Sequence, residues 1–117
     1  MSIKRIQTAT RMSQAVIHGN TVYLAGQVAA DAKGESVTKQ TQNILDRIDN
    51  LLAEAGTDKT KLLSANIWIA DMAGFEEMNA VWDAWVTSGT APCRACVESK
   101  LAFPEFTVEI MLQAALD

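Results

Sequence analysis

The stretch "SVTKQTQNILDRIDNLLAEAG", residues 36–56, decides the fold. Ile44, Leu45, Ile48, Leu51, Leu52 and Ala55 recur at helical spacing, so one side of this segment is apolar and has to be buried. Ser36 or Thr38 can accept hydrogen bonds from the free N–H groups at its start, and Gly56 can take the turn that ends it. Upstream, "QAVIHGNTVYLAGQVA", residues 14–29, reads as two strands joined at Gly19-Asn20, with a shorter strand around Ile3 to Gln7 before it. Downstream, "LLSANIWIA", residues 62–70, reads as a strand. "GFEEMNAVWDAWVTSG", residues 74–89, is a second amphipathic helix with Phe75, Met78, Trp82 and Trp85 on roughly one side. "RACVESKL", residues 94–101, and "FTVEIMLQAAL", residues 106–116, are the last strands, on either side of Pro104. The order is β-β-β-α-β-α-β-β. About six mostly antiparallel strands with two helices predict an α+β sheet carrying both helices on one face. The other face is then bare. Three tryptophans and five methionines make it a candidate for burial by another subunit, or those residues fill the chain's own core.

The bulk properties bound the function. A chain of 117 residues, about half of them apolar, supports one domain spanning 1–117 with one core. The start, "MSIKRIQTATR", has no apolar leader after its charges, and no apolar run approaches the ~20 residues of a membrane helix, so a soluble, cytoplasmic protein is expected. A net charge of −4 with scattered basic residues argues against nucleic acid as the main partner.

The chemistry-bearing residues lie near the C-terminal end. In "APCRACVESK", residues 91–100, Cys93 and Cys96 have C-x-x-C spacing, but the motif enters a strand rather than a helix. Three residues of strand span ~10 Å and put the two side chains on opposite faces, which disfavours a local disulfide. With one histidine and no second cysteine pair, zinc is disfavoured too. Arg94, Cys96 and Glu98 share one face, and Ala95, Val97 and Ser99 the other. A guanidinium at the start of a strand can hold a carboxylate through two parallel hydrogen bonds, or it is an ordinary structural ion pair. Glu109, between Val108 and Ile110, is the only charge in its segment. It is paired, kept partly neutral by desolvation, or placed on the solvated side of an edge strand; the first two suit a general acid–base. His18 is expected to be exposed near a turn, and Ser13 has no triad partners in view.

Four pieces, "MSQAV", "VYLAGQVA", "FEEMNAVW" and "GTAPCRACVESKLAFPEFTVEI", together resemble the RidA family (also YjgF/YER057c/UK114) of reactive-imine deaminases, in family order and over essentially the whole chain. The resemblance implies a chorismate-mutase-like α+β fold and a homotrimer with active sites in clefts between subunits. It also implies hydrolysis of 2-imino acids or their enamine tautomers to 2-oxo acids and ammonia, with no cofactor or metal. Arg94 matches the arginine that grips the substrate carboxylate, and Glu109 the glutamate that orients the attacking water. Gly26 and Cys96 match cleft positions whose backbone helps hold substrate. Asn79 falls near the cleft asparagine, with a shorter segment from there to Arg94 than in the archetype. Met12 and Ala25 stand where the archetype has tyrosine and serine, so two hydroxyls are missing, which points away from its small substrates and toward other imines, dicarboxylic or derived from D-amino acids. Two other readings remain open: a non-catalytic module binding a small carboxylate such as a 2-oxo acid, and an endoribonuclease or translation inhibitor.

Overall fold

The computed structural model describes residues 2–117. The strands are β1 (Ile3–Thr8), β2 (Ser13–His18), β3 (Thr21–Leu24), β4 (Gln27–Val28), β5 (Leu62–Ile69), β6 (Cys93–Glu98) and β7 (Val108–Ala115), and the helices are α1 (Val37–Ala55) and α2 (Phe75–Trp85). One sheet runs in the order β1-β2-β3-β7-β5-β6, with the two-residue β4 also paired to β7. The fold is α+β with both helices packed on one face of a mostly antiparallel sheet, as the alternation of patterns predicts. Two details differ from the sequence reading. The second hairpin strand breaks at Ala25-Gly26 and resumes as β4, because Gly26 passes directly over a side chain of β7. Strand β6 begins one residue earlier than expected, at Cys93, and ends at Glu98.

Local chemistry explains the elements. Ser36 caps α1 by accepting from Lys39 N, and Gly56 ends the helix at φ 92°, donating to Ala53 and Leu52 carbonyls. All six apolar residues of its stripe are buried. The Glu77 carboxylate of α2 accepts from both the backbone N–H and the hydroxyl of Thr38 at 2.8 Å, so an anion from one helix sits at the positive end of the other. Strands β5 and β6 are the one parallel pair among the described residues, which requires a crossover, and α2 supplies it.

Strand β7 lies in the middle of the sheet, not at an edge. Val108, Ile110, Leu112 and Ala114 are buried under the helices, while Glu109, Met111, Gln113 and Ala115 alternate onto the open face. Its approach is fixed by Gln40 of α1, which is fully buried. The Gln40 side-chain oxygen accepts from Thr107 N at 2.9 Å, and its amide nitrogen donates to the carbonyls of Glu105 (2.9 Å) and Glu35 (3.1 Å). The open face is bare of helices and carries Val16, Tyr23, Trp68, Val97 and Met111 among polar neighbours; Tyr23 and Val97 are 41% and 49% exposed.

Candidate functional site

The residues singled out in the sequence fall into two clusters. In the first, Arg94 pairs in register with Ala65 of β5, which pairs with Leu112 of β7, so its side chain leaves on the helix-bearing side of the sheet. There the guanidinium lies 5.5 Å from the Trp82 ring centre and 6.0 Å from that of Phe75. Both rings come from α2, seven residues apart on one stripe, and cation–π attraction holds an arginine in such a position. Among the described residues no acidic side chain forms an ion pair with Arg94, so it is not the structural ion pair that the spacing also allowed. Asn79 occupies the same stripe between the two rings, and its Oδ1 is buried without a hydrogen-bond partner. An unmatched buried acceptor beside an unpaired cation marks a place where a polar guest can be received.

Cys96 is on the same side as Arg94, two residues along the strand and half-buried. Burial pushes its thiol up from the usual cysteine range, and the Arg94 charge offsets part of that. Cys93 points to the opposite face, exposed, with its Sγ donating to Leu63 O at 3.2 Å. Both cysteines are free, as the strand geometry requires. The third residue of that stripe, Glu98, accepts from Met72 N at 2.9 Å and so anchors the turn leading into α2.

The second cluster surrounds Glu109. Its neighbours across the sheet are Trp68 of β5 and Val28 of β4, and all three lie on the open face. Burial among these groups raises the Glu109 carboxyl above the ordinary glutamate value. This is the desolvated alternative of the sequence reading; the solvated edge-strand alternative does not hold, because β7 is central. Gly26 is what leaves room for it. A Cβ built on Gly26 would collide with Glu109 Oε2 and come within 3.1 Å of its Cδ. Met12 is exposed and Ala25 half-buried, and neither brings a polar side chain to this cluster.

The two clusters do not meet within one chain. Arg94 and Glu109 stand two strands apart and three residues out of register, a Cα separation of roughly 14 Å from strand spacings, and their side chains leave opposite faces. The structure therefore brings Arg94, Asn79 and Cys96 together, and Gly26 and Glu109 together, as separate halves.

The family model described as Endoribonuclease L-PSP matches residues 2–116. The chain belongs to this family, the YjgF/RidA family. Similar RidA-family proteins include a RutC family protein of Haemophilus ducreyi, 42% identical over 115 residues that cover 98% of this chain and 97% of the relative. The RutC family protein YoaB of Escherichia coli is 42% identical over 119 residues, covering 99% and 100%. The crystal structure of a YjgF-family protein from Neisseria meningitidis superposes with a TM-score of 0.96 at 44% identity, covering 100% of this chain and 97% of that one. For this RidA-family chain, then, the resemblance carried by short words in the sequence holds for family and fold. Sequence reasoning missed Phe75 and Trp82 as the platform under Arg94, assigning them only to an apolar helix stripe. The signal was present in their seven-residue spacing around Asn79.

Proposed function

We propose that the protein hydrolyses 2-imino acids, or their enamine tautomers, to 2-oxo acids and ammonia, at sites assembled between protomers of a homotrimer. The observation that carries this reading is the unpaired Arg94 guanidinium, seated on two aromatic rings beside the unsatisfied Asn79 oxygen. Arg94 clasps the substrate carboxylate, with Asn79 and the Cys96 backbone beside it. Glu109 of a neighbouring protomer, over Gly26, orients a water against the C=N carbon. Water oxygen bonds to that carbon, and the carbon–nitrogen π electrons go to nitrogen, which takes a proton. The resulting carbinolamine then loses ammonia, a proton moves from the new hydroxyl to the leaving nitrogen, and C=O forms. A carboxyl held above its usual range by burial can shuttle those protons near neutrality better than a fully solvated one. Imines hydrolyse unaided, so most of the acceleration comes from positioning.

The same geometry supports the assembly of copies that the family resemblance implies. The open face that carries Glu109 also carries the exposed apolar groups Tyr23 and Val97, and covering it with a second copy would bury both the patch and the site. No helix among the described residues is long and apolar enough to cross a membrane. The net charge of −4 does not favour ribonuclease activity on an RNA backbone, which the family model's description would suggest. The missing hydroxyls at Met12 and Ala25 favour one competing reading, a module that binds 2-oxo acids without turnover.

A coupled assay separates the two. An amino-acid oxidase generates imines in situ, and release of 2-oxo acid is compared with and without the protein and with Arg94→Ala. The enzyme reading expects faster release that Arg94→Ala reduces by about tenfold to a hundredfold or more, the cost of one charge-assisted contact. No acceleration over a broad amino-acid panel, with 2-oxo acid binding retained, would establish the module instead.

A further inference from the structure

On the helix-bearing side of the sheet, away from Arg94, a cavity of about 160 Å³ is lined by Gln7, Gln14, Gln27, Arg47, Asn50 and Leu51. Five of these six are polar, an unusual lining for a space under an amphipathic helix. At its floor Gln27 is only 2% exposed. Its amide nitrogen donates to Gln14 Oε1 (2.9 Å) and Ala25 O (3.1 Å), and its oxygen accepts from Arg47 Nε at 3.3 Å. Because Nε is tied down, the guanidinium plane is fixed and its terminal nitrogens are left for other partners. One of them, Nη1, lies 3.7 Å from the carboxylate of Asp31, which is 76% exposed. That distance exceeds a charge-assisted hydrogen bond, so neither charge is fully satisfied.

The wall opposite is strained. Gln7 is the one non-glycine with positive φ among the described residues, at 52°, and it drops out of the β1–β2 ladder between the paired positions Ile6 and Thr8. The distortion turns its side chain to the cavity, where Nε2 donates to Glu54 Oε1 at 2.9 Å. Nothing in the Gln27–Gln14–Arg47 network requires this conformation. Residues held in such backbone regions concentrate at ligand sites.

We propose that this cavity binds a small free α-amino acid. A cation in the lining, Arg47, and an anion 3.7 Å from it on the solvent side, Asp31, match the adjacent carboxylate and ammonium of that class, and the amides of Gln7, Gln14 and Asn50 offer donors and acceptors to its remainder. At ~30 Å³ per water the space holds about five waters, room for glycine or alanine with water left beside it. A simple anion would leave Asp31 in repulsion, and a simple amine would leave Arg47 unmatched. The site is separate from the Arg94 cluster, and its occupancy does not depend on the proposed deaminase reaction.

The test uses ¹⁵N-labelled Arg94→Ala protein, so that the Arg94 cluster cannot respond, titrated with L-alanine and followed by NMR. Saturating shifts are expected at the side-chain amides of Gln7, Gln14 and Asn50, with a dissociation constant of about 1 mM or below. L-lactate, without the ammonium, and L-alaninol, without the carboxylate, should each bind at least about tenfold more weakly. Adding Arg47→Met should weaken L-alanine by about tenfold, with Arg47→Lys intermediate and both spectra otherwise native, and Asp31→Asn should also weaken it. No shift by ~10 mM L-alanine overturns the proposal. So does L-lactate binding as well as L-alanine, tighter binding in Asp31→Asn, or shifts that Arg47→Met leaves unchanged.

Discussion

Two inactive variants should restore each other. Within one chain the sheet holds Arg94 and Glu109 roughly 14 Å apart and facing opposite ways, whereas a carboxylate and a C=N carbon are adjacent atoms of one small substrate. In the proposed three-fold ring every contact would be head-to-tail, so each site would take Arg94 from one protomer and Glu109 from the next. Arg94→Ala and Glu109→Gln each remove one half from every site of their own trimers, and each alone should be inactive. When equal amounts are exchanged, a site works where an Arg94-bearing protomer meets a Glu109-bearing one. Each condition is met half the time, so about one quarter of sites should be active. The assay is imine hydrolysis before and after subunit exchange, with mixed trimers confirmed by native mass spectrometry. Mixed trimers no more active than either parent would refute the shared site.

Other outcomes follow from individual contacts. Gly26→Ala should fold normally, since only the flexible end of Glu109 has to move, but the displaced carboxylate should cost about tenfold or more in turnover with little change in KM. Glu109 has its carboxyl raised by burial, so ionising it disfavours the native state: the stability it contributes is present below the unfolded glutamate value and lost as pH rises through the higher folded one. Glu109→Gln should therefore leave the unfolding midpoint unchanged at low pH and raise it above that range; a difference that shrinks with rising pH contradicts this assignment.

The elements were legible where one physical term dominated. The apolar stripe of α1 with Ser36 and Gly56 at its ends leaves few alternatives, and the alternation around Glu109 fixed which residues of β7 point inward. What escaped was pairing. The sequence does not say that β7 returns to the centre of the sheet, which is why an edge position for Glu109 stayed open, nor that β4 separates from β3 at Gly26. The parallel alignment of β6 beside β5 is also a long-range outcome, set by the crossover through α2. For the site, strand alternation and a lone charge singled out Arg94 and Glu109 and the family resemblance gave them roles, but their division between opposite faces is visible only from registers across three strands. The Gln7–Arg47 cavity left no pattern at all, because its residues come from four separate elements.

Gln40 carries a consequence that reaches beyond its own three hydrogen bonds. By gripping Thr107 at the threshold of β7, this glutamine sets the parity of the strand two residues before Glu109. Slide the strand by one position and Ile110 would face the bare side while a carboxylate was driven under the helices, among Ile67 and Ile69 of β5. A single interior amide thus acts as the phase marker of the whole strand, and Gln40→Leu would trade three satisfied bonds for a chain free to choose the wrong beat.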